Sequence, residues 1–225
     1  MKVVMYDWPG SPFCMKVRAV LDYKRIEYER INILGPAWFA VRRRGRIGKV
    51  PALEIDGELV CDSTDIVYRL EELVPNPSVI PADPYLAARN HVLEDWADES
   101  LYFVGLYFQW WDVEGRAMVP LAFGKSPIGR VAFAGYERAM RRQLRGQGTA
   151  RKPIEHLRRD LKRHLDAVES LLENRQFFLC DSPMLCDFSL LGQLHYLRRT
   201  PVGAREIRHR SSIRAFLDRM RALRA

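Results

Sequence analysis

Cysteine is scarce in this chain: Cys14, Cys61, Cys180 and Cys186 are four scattered thiols among 225 residues. No two of them form C-x-x-C and no Cys/His pair has zinc spacing, so neither a disulfide scaffold nor a zinc site is supported, and reduced thiols are expected. Long apolar runs are missing too. None approaches a membrane span, and the apolar start is cut by Asp7 and Pro9, so no transmembrane helix or signal peptide is expected and the cytoplasm is the expected setting. Internal repeats and low-complexity tracts are lacking. What remains is 48% hydrophobic and 28% charged residues, an ordinary globular make-up with length for one large domain or two small ones.

Acidic residues are short in one stretch only. Residues 1–80 hold 12 Lys/Arg against 11 Asp/Glu, whereas residues 125–165 hold 12 against 3, so the formal charge of +8 belongs mainly to the second half. The arginines there lie between apolar residues at helical spacing, and no nucleic-acid motif accompanies them. They read as a solvated helix face, and no nucleic-acid partner is expected.

The first eighty residues alternate in type: strand 2–7, helix 12–24, strand 27–33, a loop with a short helix, strands 51–55 and 58–61, then helix 63–74. This is an α/β pattern. Asp56-Gly57 between two apolar runs signals a two-residue hairpin, because its turn needs positive φ at both positions. Ile66, Val67, Leu70 and Leu73 or Val74 give the helix over 63–74 one apolar stripe. Cys61, within Leu59-Val60-Cys61, reads as a small core residue, as do Cys180 and Cys186. Pro75, Pro77, Pro81 and Pro84 then impose a stiff, extended connection. The expected domains are therefore 1–76 and 85–225, joined by a linker at 77–84.

Beyond the linker strand signals vanish. Tyr85 to Trp111 reads as a long aromatic-rich helix, and Ile154, Leu157, Leu161, Leu165, Val168 and Leu172 recur at steps of three or four. Further helices are expected from about Leu185 and over 213–223. Asp112 to Gly129, with Gly115, Pro120, Gly124 and Pro127, reads as a loop beside a site. Tyr102, Phe103, Tyr107, Phe108, Trp110 and Trp111 read mainly as core, with some available to line a substrate cleft.

Chemistry concentrates at three turns. Ser11-Pro12-Phe13-Cys14 stands where the first strand gives way to a helix: Ser is a preferred N-cap, Pro fits the first helical position, and the free N–H groups there favour an anion such as a thiolate. Lys49-Val50-Pro51-Ala52-Leu53 sets a proline at a strand start. With Val50-Pro51 in cis, Val50 would offer its N–H and C=O to a bound peptide; in trans the segment is an ordinary edge strand. Asp62-Ser63 opens the next helix, where free N–H groups could dock a carboxylate.

In order and spacing these segments, with Lys16-Val17-Arg18, Gly48, Thr64-Asp65-Ile66 and Asp187-Phe188, resemble the glutathione transferase superfamily over nearly the whole chain. The resemblance implies a thioredoxin-like N-terminal domain followed by an all-helical C-terminal domain, a homodimer, and glutathione as co-substrate with no metal. It implies that Val50, after the strand-opening Pro51, pairs with the cysteinyl main chain of glutathione and that Asp62 and Ser63 hold its γ-glutamyl end. Lys49 would assist near the glycyl side, Phe13 would flank the ligand, and Ser11 would face the sulfur. The stretch Pro12-Phe13-Cys14 with Lys16-Val17-Arg18 is also similar to the prostaglandin E synthase type 2 branch, which carries C-P-F-C. Here Ser11 replaces the first cysteine, so dithiol chemistry between positions 11 and 14 is impossible. Met184 likewise stands where the family usually has a Ser/Thr cap, leaving Asp187 to reach back alone.

A hydroxyl donating to a thiolate contributes about 1.5–3 kcal/mol, enough to lower a thiol pKa near 8.5 by about one to two units. Ser11 would thereby ready glutathione for attack on a small electrophile. Two other readings stand beside it: a glutathione-dependent thiol reductase or isomerase centred on Cys14, and a non-catalytic binding module of the same fold.

Overall fold

Val3, Val4 and Met5 are all buried, which suits a strand covered on both faces. In the computed structural model, which describes residues 1–33, 41, 43–44, 49–119 and 127–223, that strand, β1 (Val3–Asp7), lies inside a four-stranded sheet. β2 (Glu29–Asn32) flanks it on one side and β3 (Ala52–Ile55) on the other, with β4 (Glu58–Cys61) beyond β3. β1 runs parallel to β2 through the crossover helix α1 (Pro12–Tyr23), and antiparallel to β3. β3 and β4 form the expected hairpin, with Asp56 at φ 48° and Gly57 at φ 94°. One row of Cα partners crosses three strands: Tyr6 pairs with Ala52, and Ala52 pairs with Cys61.

Helix α2 (Ser63–Leu73) buries Ile66, Val67 and Leu70; of the two residues expected to end the stripe, Leu73 is 40% exposed and Val74 is half-buried. Cys61 and Cys180 correct the expectation of core cysteines. Both are half-buried, and for Cys61 the cause is its place at the end of edge strand β4, while Cys14 and Cys186 are fully buried. Most of the expected loop and short helix between β2 and β3, with Gly48, falls outside the described residues.

The chain divides into two compact units. The first holds Met1–Asp95 with Gln176–Gly192 and Leu217 onward, and so includes helix α3 (Pro84–Asp95). The second holds Trp96–Arg175 and Gln193–Phe216. It opens on a π-helical stretch, Trp96–Leu101, followed by α4 (Tyr102–Trp110), so the helix expected over 85–111 changes its winding partway. Phe103, Tyr107, Phe108 and Trp110 are buried as core, and the Trp110 indole N–H donates to the Tyr196 hydroxyl at 3.2 Å. Tyr102 and Trp111 are half-buried.

The loop expected at 112–129 is in part helical. Asp112 caps α5 (Val113–Met118) by accepting from the amides of Glu114 and Gly115, and Gly115 packs against the Phe108 carbonyl, where a Cβ would not fit. Pro127 begins α6 (Pro127–Gln147), a first-turn position that proline tolerates, while Pro120 and Gly124 lie outside the described residues. α7 (Ile154–Leu171) buries Leu157, Leu161, Leu165 and Val168 as its spacing indicates. α8 (Leu185–Arg198), α9 (Pro201–Arg208) and α10 (Ser211–Ala222) complete the chain, α9 being a helix that sequence periodicity alone did not single out.

On α6 and α7 the acids are already engaged: Glu137 with Arg116 and Arg141, Glu155 with Arg158, Asp160 with Lys152, His156 and Arg163, Asp166 with Arg210, and Glu169 with the amides of Ser212 and Ile213. Arg138, Arg142, Arg159 and Lys162 are exposed, as a solvated basic face requires. Trp111 carries two guanidinium groups, Arg141 at 4.5 Å and Arg145 at 5.1 Å from its ring centre.

Candidate functional site

Ser11 caps α1. Its backbone is extended (φ −82°, ψ 129°), its Oγ accepts from the Cys14 amide at 3.2 Å, and Pro12 opens the helix. The Ser11 amide donates to the Trp8 carbonyl at 2.9 Å, which closes the turn leading out of β1. A hydroxyl that accepts from its own helix keeps its proton to give away. A thiolate met at this helix end would find a donor and the positive end of the helix dipole together.

Cys14 sits in different surroundings. It is 0% exposed, it accepts from the Trp8 amide at 3.4 Å, and burial pushes its thiol up to about 12. At neutral pH it stays protonated, so it is a poor nucleophile. Phe13, between the two, is half-buried.

The Tyr6–Ala52–Cys61 row sets the second and third turns beside the first. Past that end of the sheet come Val50-Pro51 directly before β3, Asp62-Ser63 directly after β4 and, beyond Asp7 and the Trp8–Gly10 turn, Ser11 after β1. Three adjacent strands span about 10 Å at ~4.8 Å spacing, close to the reach of an extended tripeptide at ~3.4 Å per residue. The Val50-Pro51 peptide is cis, Val50 is half-buried and outside the strand pairing that begins at Ala52, and Lys49 is exposed. Asp62 is exposed and its carboxylate accepts from the Thr64 amide at 2.9 Å. Its backbone takes φ 84° and ψ 133°, a region costly for any residue with a Cβ and typical of ligand-binding turns. Ser63 is buried as the first residue of α2.

Several polar residues behind these turns escaped sequence reading. Lys16 is fully buried, ion-paired with Glu94 and donating to Thr64 Oγ1 at 3.1 Å. Arg18 is ion-paired with buried Asp7, whose other oxygen accepts from Arg30 at 2.5 Å. On α3 the buried residues are Asn90 and Glu94, one turn apart, so this helix buries a polar face. At the start of α8, Asp187 accepts from the Met184 amide at 2.8 Å and the Phe178 amide at 3.0 Å, so it reaches back despite the missing Ser/Thr. Burial raises its carboxyl to about 7. Among the described residues no group of three or more His, Cys, Asp or Glu could hold a metal ion, and no helix is long and apolar enough to cross a membrane.

Two family models match the chain, the glutathione S-transferase N-terminal domain over residues 5–78 and the glutathione S-transferase C-terminal domain over residues 131–223. The chain belongs to the glutathione S-transferase superfamily: a thioredoxin-like sheet-and-helix domain followed by a helical one. It is 34% identical over 96 residues to maleylacetoacetate isomerase of Pseudomonas aeruginosa, covering 38% of this chain and 44% of that protein. To the protein LigF of Sphingobium sp. it is 32% identical over 119 residues, covering 49% of this chain and 42% of the relative. These matches thus span less than half the length of each relative. In structure it is similar to the β-etherase LigF (TM-score 0.73, 21% identity, 99% of this chain and 96% of the other). It is also similar to a glutathione S-transferase of Methylobacterium radiotolerans in complex with glutathione sulfonate (TM-score 0.63, 21% identity, 99% and 91%).

Proposed function

We propose that this protein is a glutathione transferase that binds glutathione along the Tyr6–Ala52–Cys61 end of its sheet and uses Ser11 to hold the thiolate for attack on an electrophilic small molecule. The observation that carries the proposal is the register that sets Ser11, Val50 and Asp62-Ser63 off one end of three neighbouring strands. The Val50 main chain meets the cysteinyl residue, Asp62 and Ser63 take the γ-glutamyl end, and Lys49 lies toward the glycyl carboxylate, with Phe13 and Pro51 as apolar walls. Ser11 donates to the sulfur, and the helix dipole adds to the depression of its pKa. The thiolate then forms a bond to carbon while the leaving group, or the electron pair of an activated double bond, departs from that carbon. The glutathione sulfonate held by the Methylobacterium protein supports glutathione as the ligand here. Relatives named as a maleylacetoacetate isomerase and as LigF, whose structure is titled a β-etherase, support a glutathione-related enzyme here.

The reductase reading would need Cys14 as the attacking group, and its full burial and raised pKa speak against that. The similarity to the prostaglandin E synthase type 2 branch rests on Pro12-Phe13-Cys14 and Lys16-Val17-Arg18 alone. Cytosolic residence, where glutathione is kept reduced, and a homodimer belong to the same proposal.

Ser11→Ala and Cys14→Ala, assayed in parallel for glutathione conjugation to chlorodinitrobenzene and for glutathione binding by calorimetry, test it. Ser11→Ala is expected to lose turnover while still binding, and Cys14→Ala to keep turnover. Loss confined to the cysteine variant overturns the assignment, and absence of binding by the parent protein favours the non-catalytic module.

A further inference from the structure

Three helices of the first unit meet at one buried cation. Lys16 of α1 is 0% exposed, and its Nζ pairs with Glu94 Oε1 of α3 while donating to Thr64 Oγ1 of α2 at 3.1 Å. Thr64 Oγ1 donates in turn to the same carboxylate oxygen at 2.5 Å, and the Thr64 amide donates to Asp62 Oδ1 at 2.9 Å. Glu94 is 2% exposed, and on its outer side His91 Nδ1 stands 4.0 Å from Oε2.

Burying such a pair costs several kcal/mol per ion, and well-packed apolar residues often serve stability as well or better, so stability is a weak reason to keep it. Directional bonds add to packing a preference for one rotation of one helix against another. Thr64 is the second residue of α2, directly after the two residues proposed to take the γ-glutamyl group. Lys16 lies four residues, about one turn, beyond Pro12 on the helix that Ser11 caps.

We propose that Lys16 and Glu94, acting through Thr64, are positioning residues for the γ-glutamyl end of glutathione. They hold the Asp62-Ser63 turn at a fixed aim and separation from Ser11. The inference rests on the glutathione reading above. A ligand gripped at both ends loses affinity when either grip turns aside.

Thr64→Val removes the hydroxyl with almost no change of shape, Thr64→Ser restores it, and Lys16→Met combined with Glu94→Leu removes both charges without stranding one. Calorimetry with glutathione, γ-glutamylcysteine and cysteinylglycine separates the ends of the ligand. Thr64→Val and the double variant are expected to bind glutathione and γ-glutamylcysteine at least tenfold more weakly and cysteinylglycine unchanged, with Thr64→Ser within about threefold of the parent. Equal losses on all three ligands, or none, overturn the positioning role while leaving the glutathione reading intact. Failure of the parent protein to bind glutathione overturns both. Should the double variant not fold, the two threonine variants decide alone.

Discussion

Gly192 of α8 lies directly against the main-chain carbonyl of Pro12: a Cβ at residue 192 falls 2.4 Å from that oxygen and 3.1 Å from its carbon. The contact sits behind the first turn of α1, so α8 sets how far back that turn can settle. Gly192→Ala is expected to destabilise the protein by about 1–3 kcal/mol through overpacking, less the ~1 kcal/mol that alanine contributes as a better helix former. The displaced turn carries Ser11, so the thiol of bound glutathione is expected to titrate nearer its free value in this variant. Urea unfolding and a thiolate absorbance titration read the two effects. A variant as stable as the parent and with an unshifted thiol removes α8 as the backstop of the Ser11 turn.

Reactivity of the four cysteines is a second test. Cys14 and Cys186 are fully buried, with burial holding both thiols far above the ordinary range, while Cys61 and Cys180 are half-buried and less strongly shifted. An aromatic disulfide reagent at pH 8 is expected to label Cys61 and Cys180 first in the native protein, and all four only after denaturation. Fast labelling of Cys14, mapped by peptide mass, would revive the thiol-reductase reading.

Much of this architecture was legible because its signals are local. The N-caps at Ser11 and Asp62 and the Asp56-Gly57 turn follow from side-chain chemistry within four residues, and α7 follows from its leucine spacing. The hairpin also fixes which residues stand opposite, so the Tyr6–Ala52–Cys61 row becomes readable once β1 is known to pair with β3. Failures came where one residue type serves two ends. Gly115 and Pro127 read as loop residues, yet one is a close-packing helical glycine and the other opens a helix. Lys16 and Glu94 are 78 positions apart, and nothing in either neighbourhood announces that two charges will be buried together.

Asp187 offers a pH signature with a definite sign. Its carboxyl is raised from 3.8 to about 7 by burial, against two backbone amides that favour the anion. The folded state therefore holds a proton that the unfolded chain releases, so this residue's contribution is fully present below about pH 4 and is lost as pH rises through 7. Asp187→Asn removes the titration. The difference in unfolding free energy between the parent and this variant is expected to fall from about pH 4 to about pH 7 and to level off above it. A flat difference means that the two amides outweigh burial and the carboxylate is ionised throughout.

Asp62 sets stability against binding. Its φ of 84° carries a penalty of about 1–3 kcal/mol for a residue with a side chain, and glycine adopts such a conformation freely. Losing the cap to glycine costs only a few tenths of a kcal/mol, so Asp62→Gly is expected to stabilise the protein by ~1 kcal/mol. The same change removes a side chain proposed to take the γ-glutamyl end, and the affinity for glutathione is expected to fall tenfold or more. Asp62→Asn separates the two effects, since it bears the same backbone cost as aspartate and can cap the helix but carries no charge. Stability like the parent's and affinity like the glycine variant's would locate the cost of the strain in ligand recognition. Unchanged affinity in both variants would mean the γ-glutamyl end is held elsewhere, and the strained turn would then need another explanation.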